Sequence, residues 1–130
     1  MVSVYRKMTD TEREVARYLK RRQLEWVFEF PVFVYDEKDR TRLWTPDFYI
    51  PTLGLYIEVC GSKDFNYDYR KKIHEKNRIP VVFLHYYKNP DKWKAFLTMQ
   101  VEEIKQQRES EARKLRVSSS YDERKYKGQT

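Results

Sequence analysis

The sequence has one cysteine, Cys60, and two histidines, His74 and His85, in 130 residues. A single thiol cannot close an intramolecular disulfide, and it rules out an all-cysteine zinc site. The two histidines fall on different types of element, a helix and a strand end, with no further ligands beside them. A zinc site is therefore not expected, and His85 reads as structural. Long apolar runs are also missing: nothing approaches the length of a membrane span. The opening MVSVYRKMTDTERE lacks the apolar centre of a signal peptide. These absences lead to the expectation of a cytoplasmic protein with no membrane partner. There is no internal repeat.

What is present is a folded-protein composition with a charge bias. Apolar residues make up 40% of the chain and aromatics 16%, enough for one core and too much for a largely disordered chain. Twenty-seven basic residues against 20 acidic ones leave a net charge of +7, which favours a polyanionic partner.

The chain reads as α-β-β-β-α-β-α. Thr9 to Leu24 has helical spacing, with Val15, Ala16 and Leu19 as the apolar stripe. Two overlapping capping boxes, Thr9 with Glu12 and Thr11 with Glu14, compete for its start. Arg17, Lys20, Arg21 and Arg22 lie on the opposite face. Glu25 to Tyr35 is rich in strand formers, with Pro31 marking a bulge or an edge. A turn over 36–40 leads to a second strand, Arg42 to Ile50. Pro51-Thr52-Leu53-Gly54 then turns the chain, with glycine where φ must be positive. Leu55 to Cys60 is the third strand, its alternation placing Leu55, Ile57 and Val59 on one face and Tyr56, Glu58 and Cys60 on the other. A helix starts at Tyr67 or Asp68 and runs to about Lys76, with Tyr69, Ile73 and the stem of Lys76 sharing a face and Lys72 on its border. The unbroken apolar run Ile79 to Tyr86 reads as a buried strand, parallel to an earlier one through the helical crossover. Asn89-Pro90-Asp91 caps a last helix that runs to about Leu115. One domain is expected over residues 1–116, and 117–130 is expected to be a flexible basic tail.

Two carboxylates stand out against this frame. Asp47 ends a Pro-Asp dipeptide, and Glu58 follows it by eleven positions inside an apolar strand. The turn at 51–54 lies about midway, so folding there brings the acids side by side on one face. A charge inside a buried strand is costly unless it has a partner. Magnesium, or manganese, is a natural partner for hard carboxylate oxygens, with the backbone carbonyl of Val59 or Cys60 as a further ligand. Such an ion acidifies a bound water and offsets charge on a phosphate. Glu12, in line with the apolar stripe of its helix, has two readings: a capping-box residue, or a third acid held over the sheet near the metal. The tyrosines around this region, Tyr67, Tyr69, Tyr86 and Tyr87, can stack on unpaired bases or simply fill the core.

Pro46-Asp47 followed by Glu58-Val59-Cys60, in the frame just described, resembles the PD-(D/E)XK nuclease superfamily, which includes many restriction enzymes and Holliday junction resolvases. The phrase TPDFYIPTLGLYIEVCG, then YDYRKK and IPVVFL, is similar to nuclease-like modules found alone or beside helicases. The resemblance spans roughly residues 10 to 105. It implies an α/β fold of restriction-endonuclease-like αβββαβα type, with a mixed central sheet flanked by helices. It also implies a magnesium-dependent DNA endonuclease with Asp47 and Glu58 as metal ligands and Glu12 as the acid of the first helix. Lys63, Arg70, Lys71, Lys72 and Lys76 would meet the nucleic acid. Cys60 departs from the pattern, because the superfamily usually has a lysine there to orient the water and steady the phosphate. A thiol cannot supply that charge, and losing one such donor costs about 100- to 1,000-fold in rate. The expected substitute is Lys72, then Lys63. The alternative is a fold that has lost its chemistry and serves as a nucleic-acid-binding or assembly module. Duplex, branched and single-stranded DNA all stay open as substrates, as do a homodimer or a larger DNA-processing complex.

Overall fold

A computed structural model describes residues 3–63, 65–88 and 90–127, with side chains described as far as residue 116. A single 3-10 turn, Val4–Lys7, precedes helix α1, Asp10–Arg21. Of the two competing capping boxes, Thr9 with Glu12 forms: the Thr9 hydroxyl accepts from the Glu12 N–H at 3.2 Å, and Glu12 Oε1 accepts from the Thr9 N–H at 2.8 Å. Val15, Ala16 and Leu19 are buried as their spacing requires.

The expected first two strands are each broken in two. Glu25–Tyr35 becomes β1, Val27–Phe28, and β2, Val32–Tyr35; Arg42–Ile50 becomes β3, Thr41–Trp44, and β4, Phe48–Ile50. The breaks fall at Pro31 and Pro46. Proline has no N–H to give to a ladder, and Glu29 before the first break turns to φ 55°. Both breaks interrupt the same antiparallel pairing. Its outer half, β2 with β3, leaves as a two-stranded ribbon, while β1 stays on β4. Leu43 goes out with the ribbon and is exposed.

The main sheet has the order β1-β4-β5-β6, with β5 at Leu55–Cys60 and β6 at Val81–His85. Gly54, at φ +62°, makes the β4–β5 turn. Beyond β5 the crossover helix α2, Asp68–Lys76, sets β6 parallel to it, with Glu58 opposite Phe83 and Cys60 opposite His85. Phe48, Ile50, Leu55, Ile57, Val82 and Leu84 cover one face of the sheet and pack against α1 and the last helix α3, Trp93–Lys127. Each such side chain contributes about 1.5–3 kcal/mol by leaving water. Helix α3 continues past the expected end at Leu115; residue 89 of the expected cap and residues 128–130 lie outside the described residues.

The other face carries Tyr56, Glu58 and Cys60 and is covered by α2 and the ribbon. The stripe expected on α2 is rotated: Ile73 and His74 are buried, with Arg70 and Asn77 bordering them, while Tyr69 is exposed. The Asn77 amide takes the place of a strand partner for Tyr35, accepting from its N–H at 2.8 Å and donating to its carbonyl at 2.9 Å. Lys76 Nζ donates to the Asp36 carbonyl at 2.6 Å and pairs with Asp39 at 2.7 Å. The Asp36 carboxylate, buried in the ribbon turn, accepts from the Lys38 and Arg40 N–H groups and from the Arg40 and Arg42 guanidiniums. Burial opposes its ionisation, but these donors hold it well below the usual carboxylate range. The fold is thus a mixed α/β architecture, a mixed sheet flanked by helices. Among the described residues no helix is long and apolar enough to cross a membrane.

Candidate active site

Asp47 stands one residue before β4, where Pro46 releases the chain from the ribbon and the pairing of Phe48 with Ile57 begins. Continuing that register puts Asp47 opposite Glu58. The contact is direct: Asp47 Oδ2 accepts a hydrogen bond from the Val59 N–H at 2.7 Å. Glu58 projects from the middle of the sheet, its side chain only 8% exposed. One of its oxygens, Oε2, is 2.9 Å from Arg70 Nη1 on α2; the other, Oε1, is buried and has no hydrogen-bond partner among the described residues.

Glu12 reaches the same place from α1. Its Oε1 caps the helix, as the capping-box reading expects, and its carboxylate is close enough to act on Asp47. Burial above all, with the neighbouring Glu58 and Glu12, pushes the Asp47 carboxyl up to about 8 against the pull of the Val59 N–H. Burial also raises Glu58, and Arg70 opposes that shift. The site therefore holds more negative charge than it can ionise unaided.

Cys60 lies two residues beyond Glu58 and is fully buried, its thiol 3.7 Å from the Glu58 carbonyl. Burial and the adjacent acids push the thiol up to about 12. It is a neutral filler, neither a cation nor a thiolate ligand.

The other expected residues are placed as follows. Among the described residues, Arg70 is the one cation paired with either acid, and it lies 5.3 Å from the centre of the Trp44 ring and 5.8 Å from that of Phe65. Lys72 and Lys63 are exposed and make no ion pair with Asp47 or Glu58; Lys71 is exposed too, and Lys76 is tied to the ribbon turn. Tyr69 bonds Glu37, Tyr86 bonds Glu14 at 2.8 Å, and Tyr67 packs edge-on to His85. Tyr87 also lies edge-on to His85. The role of Arg70 on Glu58 escaped the sequence reading, though a signal existed: residues 70, 73, 74 and 77 fall on one helix face.

Among the described residues no three histidine, cysteine, aspartate or glutamate side chains are grouped so as to hold a metal by themselves. The donor set nevertheless fits a hard ion that keeps several of its own waters. Among the described residues Glu58 Oε1 is a buried acceptor with no hydrogen-bond partner, and burial pushes the Asp47 carboxyl up to about 8; a divalent cation would answer both.

No protein-family model and no curated protein matches the sequence. A solved structure does match by shape, the catalytic domain of the homing endonuclease I-Bth0305I. The match covers 75% of this chain and 98% of that domain at 21% identity, with a TM-score of 0.50. The chain is similar in fold to a nuclease domain, and the acid pair lies within that fold.

Proposed function

We propose that this protein is a metal-dependent DNA endonuclease that hydrolyses phosphodiester bonds. The observation that carries the proposal is the approach of Asp47, just before β4, to Glu58 on β5 and Glu12 on α1, with one carboxylate oxygen of Glu58 buried and, among the described residues, without a hydrogen-bond partner. The fold of a nuclease domain and the net charge of +7 support the same reading.

Asp47 and Glu58 would hold magnesium or manganese, with a backbone carbonyl of Val59 or Cys60 as the expected third protein donor. When bound, the ion supplies an acidified water and charge neutralisation at the phosphate. The chain's own part is positional. The Val59 N–H fixes one oxygen of Asp47, and Arg70 fixes one of Glu58. The positive charge that Cys60 cannot give is better supplied by Arg70 than by Lys72 or Lys63, because Arg70 already pairs with Glu58. Lys63, Lys71 and Lys72 are left to phosphates on the rim.

Cleavage of supercoiled, branched and single-stranded DNA with magnesium or manganese, compared with Asp47→Ala and Glu58→Ala, tests the proposal. Activity that survives in both variants overturns it. The buried neutral Cys60 favours one second reading, a binding module without chemistry. Absence of calorimetric metal binding at about millimolar magnesium, together with salt-sensitive DNA binding, selects that reading. A double-strand cut would call for a homodimer, whereas a monomer suffices for nicking.

A further inference from the structure

The helix that delivers Glu12 carries a second set of groups. From Ser3 to Leu24 the chain has seven basic residues and three acids. All three acids are engaged: Asp10 pairs with Arg13 at 2.7 Å, Glu12 enters the acid cluster, and Glu14 accepts from the Tyr86 hydroxyl. Arg17, Lys20 and Arg21 are exposed and, among the described residues, have no carboxylate paired with them. Elsewhere much of the positive charge is already answered, as with Arg70 on Glu58, Lys76 on Asp39, Lys105 on Glu102 and Arg108 on Glu111.

Helix geometry puts these cations in a row. Arg13, Arg17 and Lys20 fall within about 60° of one another around the axis, and Arg13 stands about 100° from Glu12. Arg17 and Lys20 lie roughly 6 and 10 Å further along α1 than Arg13. Arg13 is held in place by the Tyr5 carbonyl, which accepts from its Nε at 2.8 Å. Tyr5, Arg6, Arg13, Arg17 and Lys20 together line a shallow groove. Glu25 borders the far end beyond Lys20. One strand of a duplex presents a phosphate every 3.4 Å or so along its axis, so a row of this length spans about three phosphates.

We infer that the outer face of α1, through Arg17 and Lys20 with Arg6 and Arg13 beside them, is the surface that holds the DNA backbone next to the acid site. The inference rests on the endonuclease reading for its partner and goes beyond it by assigning the dominant phosphate contacts to α1, where the sequence placed them on α2. A strand whose scissile phosphate sits at Asp47 and Glu58 meets the α1 row as it leaves the site past Glu12. These contacts carry no base information, so they set affinity and register without sequence preference.

The test is equilibrium binding of the full chain to a labelled mixed-sequence duplex, in chelator, across about 50 to 200 mM salt. Arg17→Gln with Lys20→Gln keeps good helix formers on the surface of α1. The double variant is expected to lower the salt slope by about two and the affinity at 0.1 M salt by roughly 10- to 100-fold. Neutralising Arg113 and Lys114 on α3 in the same way controls for net charge and is expected to change binding far less. Equal losses from the two pairs, or no loss from the α1 pair, overturn the inference. Hydrolysis of a small phosphodiester with magnesium, which needs no backbone surface, separates the two levels. Retained hydrolysis with unaltered DNA binding sinks only the α1 surface. A wild-type chain that neither hydrolyses this substrate nor binds DNA sinks the endonuclease reading along with it.

Discussion

Arg70 Nη1 sits 2.9 Å from Glu58 Oε2, while the other oxygen of the same carboxylate is buried and, among the described residues, has no hydrogen-bond partner. Arg70 thus answers one oxygen of this acid.

The answered half sets the first expectation. Arg70→Met removes the cation that opposes the upward shift of Glu58, so that carboxyl rises further. At low pH Glu58 is protonated in both proteins and the difference in stability is small. As pH rises the variant must bury an unpaired charge or hold a proton against the solution. With Arg70 side-chain exposure at 32%, a loss of about 1–3 kcal/mol is expected near neutrality, below the 3–5 typical of fully buried pairs. Denaturant titrations at acid and neutral pH measure it. A penalty that does not grow with pH contradicts the assigned pairing.

Asp47 gives an expectation of opposite sign to most carboxylates. Its folded value is about 8 and its ordinary value 3.8, so between these the folded chain binds the extra proton. Stability of the metal-free protein therefore falls as pH climbs from about 4 to 8 and levels off above. Asp47→Asn removes that cost and is expected to be more stable than the wild type at about pH 8, on the order of 3 kcal/mol, while losing cleavage. Magnesium should stabilise the wild type and release about one proton near pH 6. Isothermal titration in buffers of different ionisation heat reads the proton. A metal that binds without proton release refutes the account of Asp47.

His74 is buried between Trp44 and Phe83, neither ring nitrogen is hydrogen-bonded among the described residues, and burial lowers it to about 4. It stays neutral while the unfolded chain protonates below about pH 6.5, so its contribution weakens the fold as pH falls toward 4. His74→Leu is expected to gain about 1 kcal/mol at neutral pH by removing unpaired polar atoms. The gain should widen by roughly 2–3 kcal/mol toward pH 4. Thermal melts across that range decide it; a constant or shrinking difference counts against a neutral, unpartnered imidazole.

Cys60 should be silent. With its thiol pushed up to about 12, the thiolate fraction near pH 8 is about one in ten thousand. Native protein should resist alkylation. Cys60→Ser should cost about 1–2 kcal/mol for burying a hydroxyl and leave the turnover rate unchanged. A large loss of rate at unchanged stability would show that the sulfur takes part.

The acid-bearing hairpin was readable because its signals are local. Eleven positions, a central turn with Gly54 at positive φ, and strict alternation through Leu55–Cys60 are enough to set Asp47 beside Glu58. The capping box placed Glu12 at the start of α1, and the crossover helix made β6 parallel. The divided strands were harder. Pro31 and Pro46 are visible in sequence, but that they break the same pairing, and so release a ribbon, depends on register. The stripe of α2 was misplaced because Tyr69 is apolar enough to suggest burial and His74 is not. Packing against Trp44 and Phe83 reversed that order.

The sequence by itself determined the order of elements, the pairing of the two carboxylates and the neutral residue where a lysine would stand. These follow from the period of strands and helices and from turn chemistry, which neighbouring residues set. Only the tertiary structure decided which cation meets Glu58, that Glu12 joins Asp47 while still capping its helix, and which basic residues remain without a carboxylate. Those depend on the rotation of helices against the sheet, fixed by side chains far apart in the chain.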